Sequence, residues 1–265
     1  MRARAVQQPA NDGRGAVQPP EERSVLEKAF RILGAFDEKH SHLNLSEISR
    51  RSQVPLTTTH RIVSQLTASG ALERVSARGY RVGLRLWEIA SLAPRSVDLQ
   101  RIALPFMQDL YETIHYPVHL AIREGNEVVF VARLVDQTLT NARPRVGGRY
   151  AIHATAVGHV LLAFAPREVQ DEILAHPLKA YTRLTETDPD VLRVVLDRVR
   201  HEELATSDRQ IDTDLVSIAA PIYGPAKEVA AALSIIVPFE QMQGRSWGYL
   251  VQASARGISR ANRGR

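Results

Sequence analysis

The sequence predicts an α+β chain in two folded parts, a small helical unit closed by a short hairpin and a larger unit of strands and helices. Three observations carry this. Two helical stretches flank a break at Gln53-Val54-Pro55, a basic hairpin follows them directly, and at Pro117 the apolar period changes from helical to extended. The chain then closes on two nearly continuous apolar strands and a final helix.

Residues 1–22 are rich in Gln, Pro, Gly and Arg with scarcely any large apolar side chain, so nothing offsets the entropy of ordering them. They are expected to form a disordered tail. Arg2, Arg4, Arg14 and Arg23 would add non-specific attraction to DNA, although a merely solvated tail is the plainer account. Ser24-Val25-Leu26-Glu27 is a capping box that opens a first helix, whose stripe of Val25, Ala29, Ile32, Leu33 and Phe36 supports the next two. Apolar area left over would serve a dimer.

The second helix starts at Asn44, with Glu47 placed to reach back to it. Pro55 forces the third to restart at or after itself, because the residue before a proline is pushed out of the α region. In LTTTHRIVSQL, Thr59, Ile62, Val63 and Leu66 fall on one face, and Thr57, Thr58, His60, Arg61, Ser64 and Gln65 on the other. Hydroxyls, an amide and a guanidinium on one exposed helix face suit phosphates and base edges in a DNA major groove. The alternative is an ordinary helical hairpin whose polar side faces water. After Gly70 comes a hairpin bearing Arg74, Arg78 and Arg81, which reads as a wing able to contact the DNA backbone or minor groove. Residues 23–83 are therefore assigned to a winged helix-turn-helix unit.

Charge supports that assignment. Residues 1–95 carry 15 Lys and Arg against 9 Asp and Glu, whereas residues 96–265 carry 19 against 20. No cysteine is present, which excludes disulfides, thiolate metal sites and cysteine nucleophiles. Without an apolar run of membrane length or a hydrophobic N-terminal segment, a soluble cytoplasmic protein with no membrane partner is expected.

Residues 84–95 are expected to form a connecting helix, with Leu84, Ile89 and Leu92 available for packing and Trp87 as a large anchor. The second unit, 96–262, opens with a long helix in which Ile102, Phe106, Leu110 and Ile114 recur and Pro105 interrupts. VHLAIR and EVVFVARL make a hairpin around Glu124-Gly125-Asn126, and 136–150 is a polar loop with Arg143, Arg145, Gly147 and Gly148. A buried helix is expected after His153, another at PREVQDEIL and a third around 189–204. LVSIAAPIY and EVAAALSIIVP follow as strands, then a helix from about Glu240 to Ala261.

From Ser24 to Ile258 the chain resembles the IclR family of bacterial transcription regulators. The residues that carry the resemblance are LTTTHRIVSQL, the wing followed by YRVGLRLWEIASL, the stretch GGRYAIHATAVGHVLLA, and IAAPIYGP with AAALSIIVP. It implies a winged helix-turn-helix, a connecting helix and a C-terminal effector domain with a GAF-like or profilin-like sheet. It also implies a cytoplasmic homodimer or dimer of dimers that binds operator DNA, needs no cofactor or metal, and answers to a small organic acid, aromatic or short aliphatic, at a catabolic operon. Carried over by position, the pocket involves Ala156, Val157, Leu215, Ser217 and Ser234. Two physical points stand beside this: helix N-terminal amides favour a carboxylate, and a serine in an apolar strand needs a partner, ligand or backbone. The chain departs from the family at Gln53, where a glycine is usual, and at Arg209-Gln210, where an acidic pair is common. Replacing a carboxylate there by Arg or Gln would favour a more anionic effector.

Two other function classes stand beside this one. Nine histidines, with Asp208, Asp212 and Asp214, leave a metal-dependent enzyme conceivable, but no HExxH or other close ligand spacing occurs and His153 and His159 would not share a helix face. Structural or surface histidines are the expectation. The third class is a constitutive DNA-binding protein with a vestigial sensor domain.

Overall fold

The computed structural model describes residues 24–37, 39–75, 79–92, 94–136, 145–242 and 247–263, with only the backbone of 94–97. The tail 1–22, the wing tip with Arg78, and Arg143 lie outside these residues. Contacts divide the chain into two compact units between Leu92 and Ala93.

The first unit packs three helices under a hairpin. Helix α1 (Val25–Leu33) is capped by the Ser24 hydroxyl, which accepts from the Glu27 amide at 3.1 Å. Helix α2 (Leu45–Ser52) carries the full capping box, with Glu47 N donating to Asn44 Oδ1 and Asn44 N to Glu47 Oε2. Gln53 ends α2 in the left-handed conformation, φ 54° and ψ 34°. Helix α3 (Leu56–Ala68) then starts directly after Pro55. Ile32, Ile48, Ile62, Val63 and Leu72 fill the core between them. Arg51 ties α2 to the turn after α1, through Nε to the Ala35 carbonyl at 2.6 Å and an ion pair with Asp37. His40 also bonds Asp37, and these partners outweigh burial and pull the carboxyl down to about 2. Strands β1 (Leu72–Val75) and β2 (Gly79–Val82) pair antiparallel, and Tyr80 bridges to Leu43 in both directions.

Helix α4 (Leu84–Ala90) differs from its expected packing. Trp87 is 67% exposed and Leu92 80%, with Leu84 and Ile89 also outside, so the expected anchor is left mostly uncovered by the described residues. Val25, Leu26 and Phe30 of α1 are likewise exposed, because only every third or fourth residue of α1 meets the core.

In the second unit six strands form one antiparallel sheet in the order β5-β4-β3-β8-β7-β6. These are β3 (Val118–Glu124), β4 (Glu127–Leu134), β5 (Arg149–Ala151), β6 (Ala205–Asp208), β7 (Leu215–Tyr223) and β8 (Val229–Pro238). Helices α5 (Pro94–Ile114) and α9 (Trp247–Arg263) contribute to one core, with Leu120, Ile222 and Leu233 from the sheet. Helices α6 (Ala156–Ala163), α7 (Arg167–Leu174) and α8 (Pro189–Glu202) contribute to the other, with Ala121, Phe130, Ala219 and Ala232. A sheet covered on both faces explains why β7 and β8 are nearly continuously apolar. At Gly257 of α9 an added Cβ would stand 2.7 Å from the Phe106 ring, so glycine permits the close approach of α9 to α5.

Several expectations are corrected here. The buried line of α5 is Leu99, Ala103, Met107, Leu110 and Ile114, while Ile102 and Phe106 flank it; a strict four-residue step drifts off a 3.6-residue face. The end of the supposed loop, Arg149–Ala151, is edge strand β5, and the polar segment Ala205–Asp208 is edge strand β6. Both edges are short, and their residues carry no apolar run to announce them. The last helix starts at Trp247, after a 3₁₀ turn at Phe239–Gln241.

Candidate functional site

In the first unit α3 presents the polar face that its spacing predicts. Thr59, Ile62 and Val63 are buried, Thr58 is half-buried, and Thr57, His60, Arg61, Ser64 and Gln65 are exposed. Among the described hydrogen bonds, none uses the side chains of Thr57, Thr58, His60, Arg61 or Gln65, whereas Ser64 turns back to the His60 carbonyl at 2.9 Å. The face is therefore open to an outside partner. On the wing Arg74 is exposed, but Arg81 pairs with Glu73 at 2.7 Å. That bond holds the Glu73 carboxyl below its usual range, helped by the Leu84 amide. Arg81 thus offers less free charge than the sequence promised.

In the second unit the candidate ligand residues meet on the α6 face of the sheet. Thr155 caps α6 by accepting from Gly158 N at 3.1 Å, which leaves the amides of Ala156 and Val157 leading the helix. The helix begins three residues after His153, so the turn rather than the helix contains that histidine. Gly158 has no room for a side chain, since an added Cβ would lie 2.0 Å from the Ile152 carbonyl oxygen. Ser207 of β6 donates to the Ala154 carbonyl at 2.7 Å and pins this turn over the sheet. Its register partner is Ser217 on β7. Ser234 of β8 stands opposite Ala219, two residues along from Ser217 and therefore on the same face, as Leu215 is by alternation. Neither Ser217 nor Ser234 makes a side-chain hydrogen bond among the described residues. The backbone partner that would make these serines merely structural is absent from that set.

One polar residue on this face was not singled out from the sequence. His119 of β3 pairs across with Ser234, is 1% exposed, and its Nδ1 has no hydrogen-bond partner. Burial, with the Arg133 charge adding, pushes its imidazole down to about 3. It meets Phe130 edge-on at 5.5 Å, and Phe130 meets Tyr150 at 5.3 Å. The signal available in the sequence was one histidine alternating with Ala121 inside the apolar strand VHLAIR.

The other buried histidines have structural bonds. His153 contacts the Lys179 carbonyl at 3.0 Å, and His159 donates from Nε2 to the His153 carbonyl at 2.6 Å, with burial lowering its pKa. Among the described residues no group of three His, Asp or Glu is placed to hold a metal ion. Arg209 bonds Asp208 through two nitrogens, at 2.7 and 3.1 Å, and lies 3.5 Å over the Phe239 ring; Gln210 Oε1 accepts from Glu186 N. Both side chains have partners within the protein.

Comparison with known proteins decides the kinship. The pattern of the bacterial transcriptional regulator IclR C-terminal domain matches residues 92–260, and that of the IclR helix-turn-helix domain residues 25–76. The chain belongs to the IclR family. IclR-type proteins are transcriptional regulators with a helix-turn-helix DNA-binding domain and an effector-binding domain, and this chain is such a regulator rather than an enzyme. It is 30% identical to the regulator KipR of Bacillus subtilis over 217 residues, 78% of this chain and 83% of that one. It is 30% identical over 257 residues to the repressor AllR of Klebsiella pneumoniae, 94% of both chains. An IclR homolog from Microbacterium hydrocarbonoxydans, solved in complex with 4-hydroxybenzoate, superposes with a TM-score of 0.84 at 32% identity, covering 91% of this chain and all of that one. No helix among the described residues is long and apolar enough to cross a membrane.

Proposed function

We propose that the protein is a one-component regulator that reads operator DNA with α3 and releases or engages it when a small organic acid, aromatic or short aliphatic, binds on the α6 face, so controlling a catabolic operon. The observation that carries the reading is the open polar face of α3. Thr57, Thr58, His60, Arg61 and Gln65 face the bases and phosphates, and Arg74, Arg78 and Arg81 position the wing on the backbone. The acid's carboxylate is taken by the leading amides of α6 at Ala156 and Val157, with Ser217 and Ser234 supplying hydroxyls and Leu215 an apolar edge. The ligand held by the Microbacterium homolog, an aromatic acid, supports this class.

A homodimer or dimer of dimers fits the exposed apolar surface of the first unit. Phe30 is 74% exposed, and Leu26, Leu84, Trp87, Ile89 and Leu92 are exposed as well, large apolar side chains on and beside α1 and α4 that a second copy would cover. Two copies would also match the two half-sites of a palindromic operator.

The test is a gel-shift titration on the intergenic DNA beside the gene, at two salt concentrations and against a random duplex, repeated with benzoate, 4-hydroxybenzoate and short aliphatic acids. Preferential, salt-dependent binding that an acid alters supports the reading. Operator preference that no acid changes points to a constitutive binder with a vestigial sensor; absence of preference removes the operator role.

A further inference from the structure

We propose that His119 reads a neutral hydroxyl group on the effector, at the end of the pocket away from the α6 amides, so that this chain prefers hydroxylated aromatic acids. The inference rests on the acid-effector reading above and narrows it.

His119 and Ser234 are direct partners on β3 and β8, and cross-strand partners project from the same face. Ser234 is next to Ala219 on β7, and Ser217 lies two residues further along that strand. Two strand spacings across and two residues along separate the Cα atoms of His119 and Ser217 by about 12 Å. A single substituted ring is of a length to lie between the two positions. The turn that leads into α6 is fixed at the Ser217 end by the bond from Ser207 to the Ala154 carbonyl. An acid lying along this face places its carboxylate by the α6 amides and its far end at His119 and Ser234.

The chemistry of that far end selects the group it accepts. The His119 Nδ1 is buried without a partner, and none of the described hydrogen bonds uses the other ring nitrogen. A buried polar atom left unpaired is costly, and His159 carries one too at its Nδ1; but His159 is anchored through Nε2 and His153 is bonded to the Lys179 carbonyl, whereas no described hydrogen bond uses either nitrogen of His119. Burial and the neighbouring Arg133 keep the ring uncharged, so it provides no cation for a second carboxylate. A neutral imidazole instead offers one donor and one acceptor, and beside it the Ser234 hydroxyl offers both. A hydroxyl complements that pair. The Phe130 and Tyr150 rings packed in sequence from His119 give the same end an aromatic wall.

The test measures calorimetric affinities of the full chain for 4-hydroxybenzoate and benzoate, alone and with His119→Phe and His119→Gln. Wild type should favour 4-hydroxybenzoate by about tenfold, the scale of one hydrogen bond. His119→Phe keeps the aromatic volume and should bind the two acids alike. His119→Gln keeps a donor and an acceptor and should restore most of the preference, which a purely structural histidine would not require. Undiminished preference in His119→Phe, or none in wild type while benzoate still binds, overturns the proposal and leaves the acid-effector reading standing. Binding of neither acid by a wild-type protein that still binds its operator removes that reading and this proposal together.

Discussion

Replacing Gln53 by glycine should stabilise the DNA-binding unit. Gln53 is held at φ 54° and ψ 34°, and its N–H closes α2 by donating to the Ser49 carbonyl. An L side chain in the left-handed region costs about 1–2 kcal/mol, which glycine avoids. Against this, glycine gives the unfolded chain extra freedom worth about 0.4–1 kcal/mol. The substitution also removes the exposed bond from Arg31 to Gln53 Oε1, 3.1 Å long. A solvent-facing contact of that kind contributes little, so the net gain is about 0.5–1 kcal/mol. For a unit of this size that raises the melting temperature by about 2–6 °C. Differential scanning calorimetry of the full chain gives the measurement, and the transition belonging to this unit is the one that operator DNA shifts upward. A lowered or unchanged transition would show that the side chain's bond to Arg31 outweighs the backbone strain, and the reasoning would be wrong.

Other consequences can be measured on the same protein. Arg61→Ala should lose about 1–3 kcal/mol on operator DNA and little on a random duplex, whereas Arg74→Ala should weaken both and lower the salt slope by about one; equal losses for Arg61→Ala sink its base-reading role. Trp87→Ala should leave the monomer folded, since two thirds of the side chain is exposed, yet raise the dissociation constant of any dimer, as read by sedimentation. Unchanged self-association would detach α4 from the interface. Stability of the second unit should fall as pH drops from about 6.5 toward about 4. There the unfolded chain protonates His119 while the folded ring, held down to about 3, does not. Each such group adds a slope of about 1.4 kcal/mol per pH unit, and denaturant titrations of His119→Phe should show that slope reduced.

The legible parts of the fold were those where one local rule agreed with the packing. Asn44 and Glu47 form both bonds of their capping box, Pro55 sets the start of α3, and β3 and β4 turn at Gly125-Asn126. The missed parts are edges. β5 and β6 have three and four residues, and β6 reads Ala-Thr-Ser-Asp, so no alternation rises above its neighbours. Their pairing is decided by β4 and β7, residues distant in the chain. The exposure of Trp87 was illegible for another reason: an apolar helix face is written the same way whether it packs on its own chain or on a second copy.

The ligand face makes a related point about polar residues in apolar strands. Ser217 and Ser234 were noticed because they interrupt two long apolar runs, and their importance turned on whether the backbone took their hydroxyls. Periodicity cannot answer that, since the answer depends on which atoms the neighbouring strand and α6 bring near. Ser207 illustrates the contrast: it sits beside Ser217 on the next strand, yet its hydroxyl is spent on the Ala154 carbonyl. His119 escaped notice because a single histidine in a strand is ordinarily a satisfied one. Its register with Ser234, together with the absence of a described hydrogen bond at either ring nitrogen, separates it from His153 and His159, each of which is bonded to a carbonyl. In a sheet covered on both faces, where apolar residues fill nearly every position, an unpaired polar atom is costly to keep. On the face that carries the unpaired His119 Nδ1, the Ser217 and Ser234 hydroxyls also lack a described partner, below the open end of a helix, and a ligand with a carboxylate at one end and a hydroxyl at the other would satisfy all of them together.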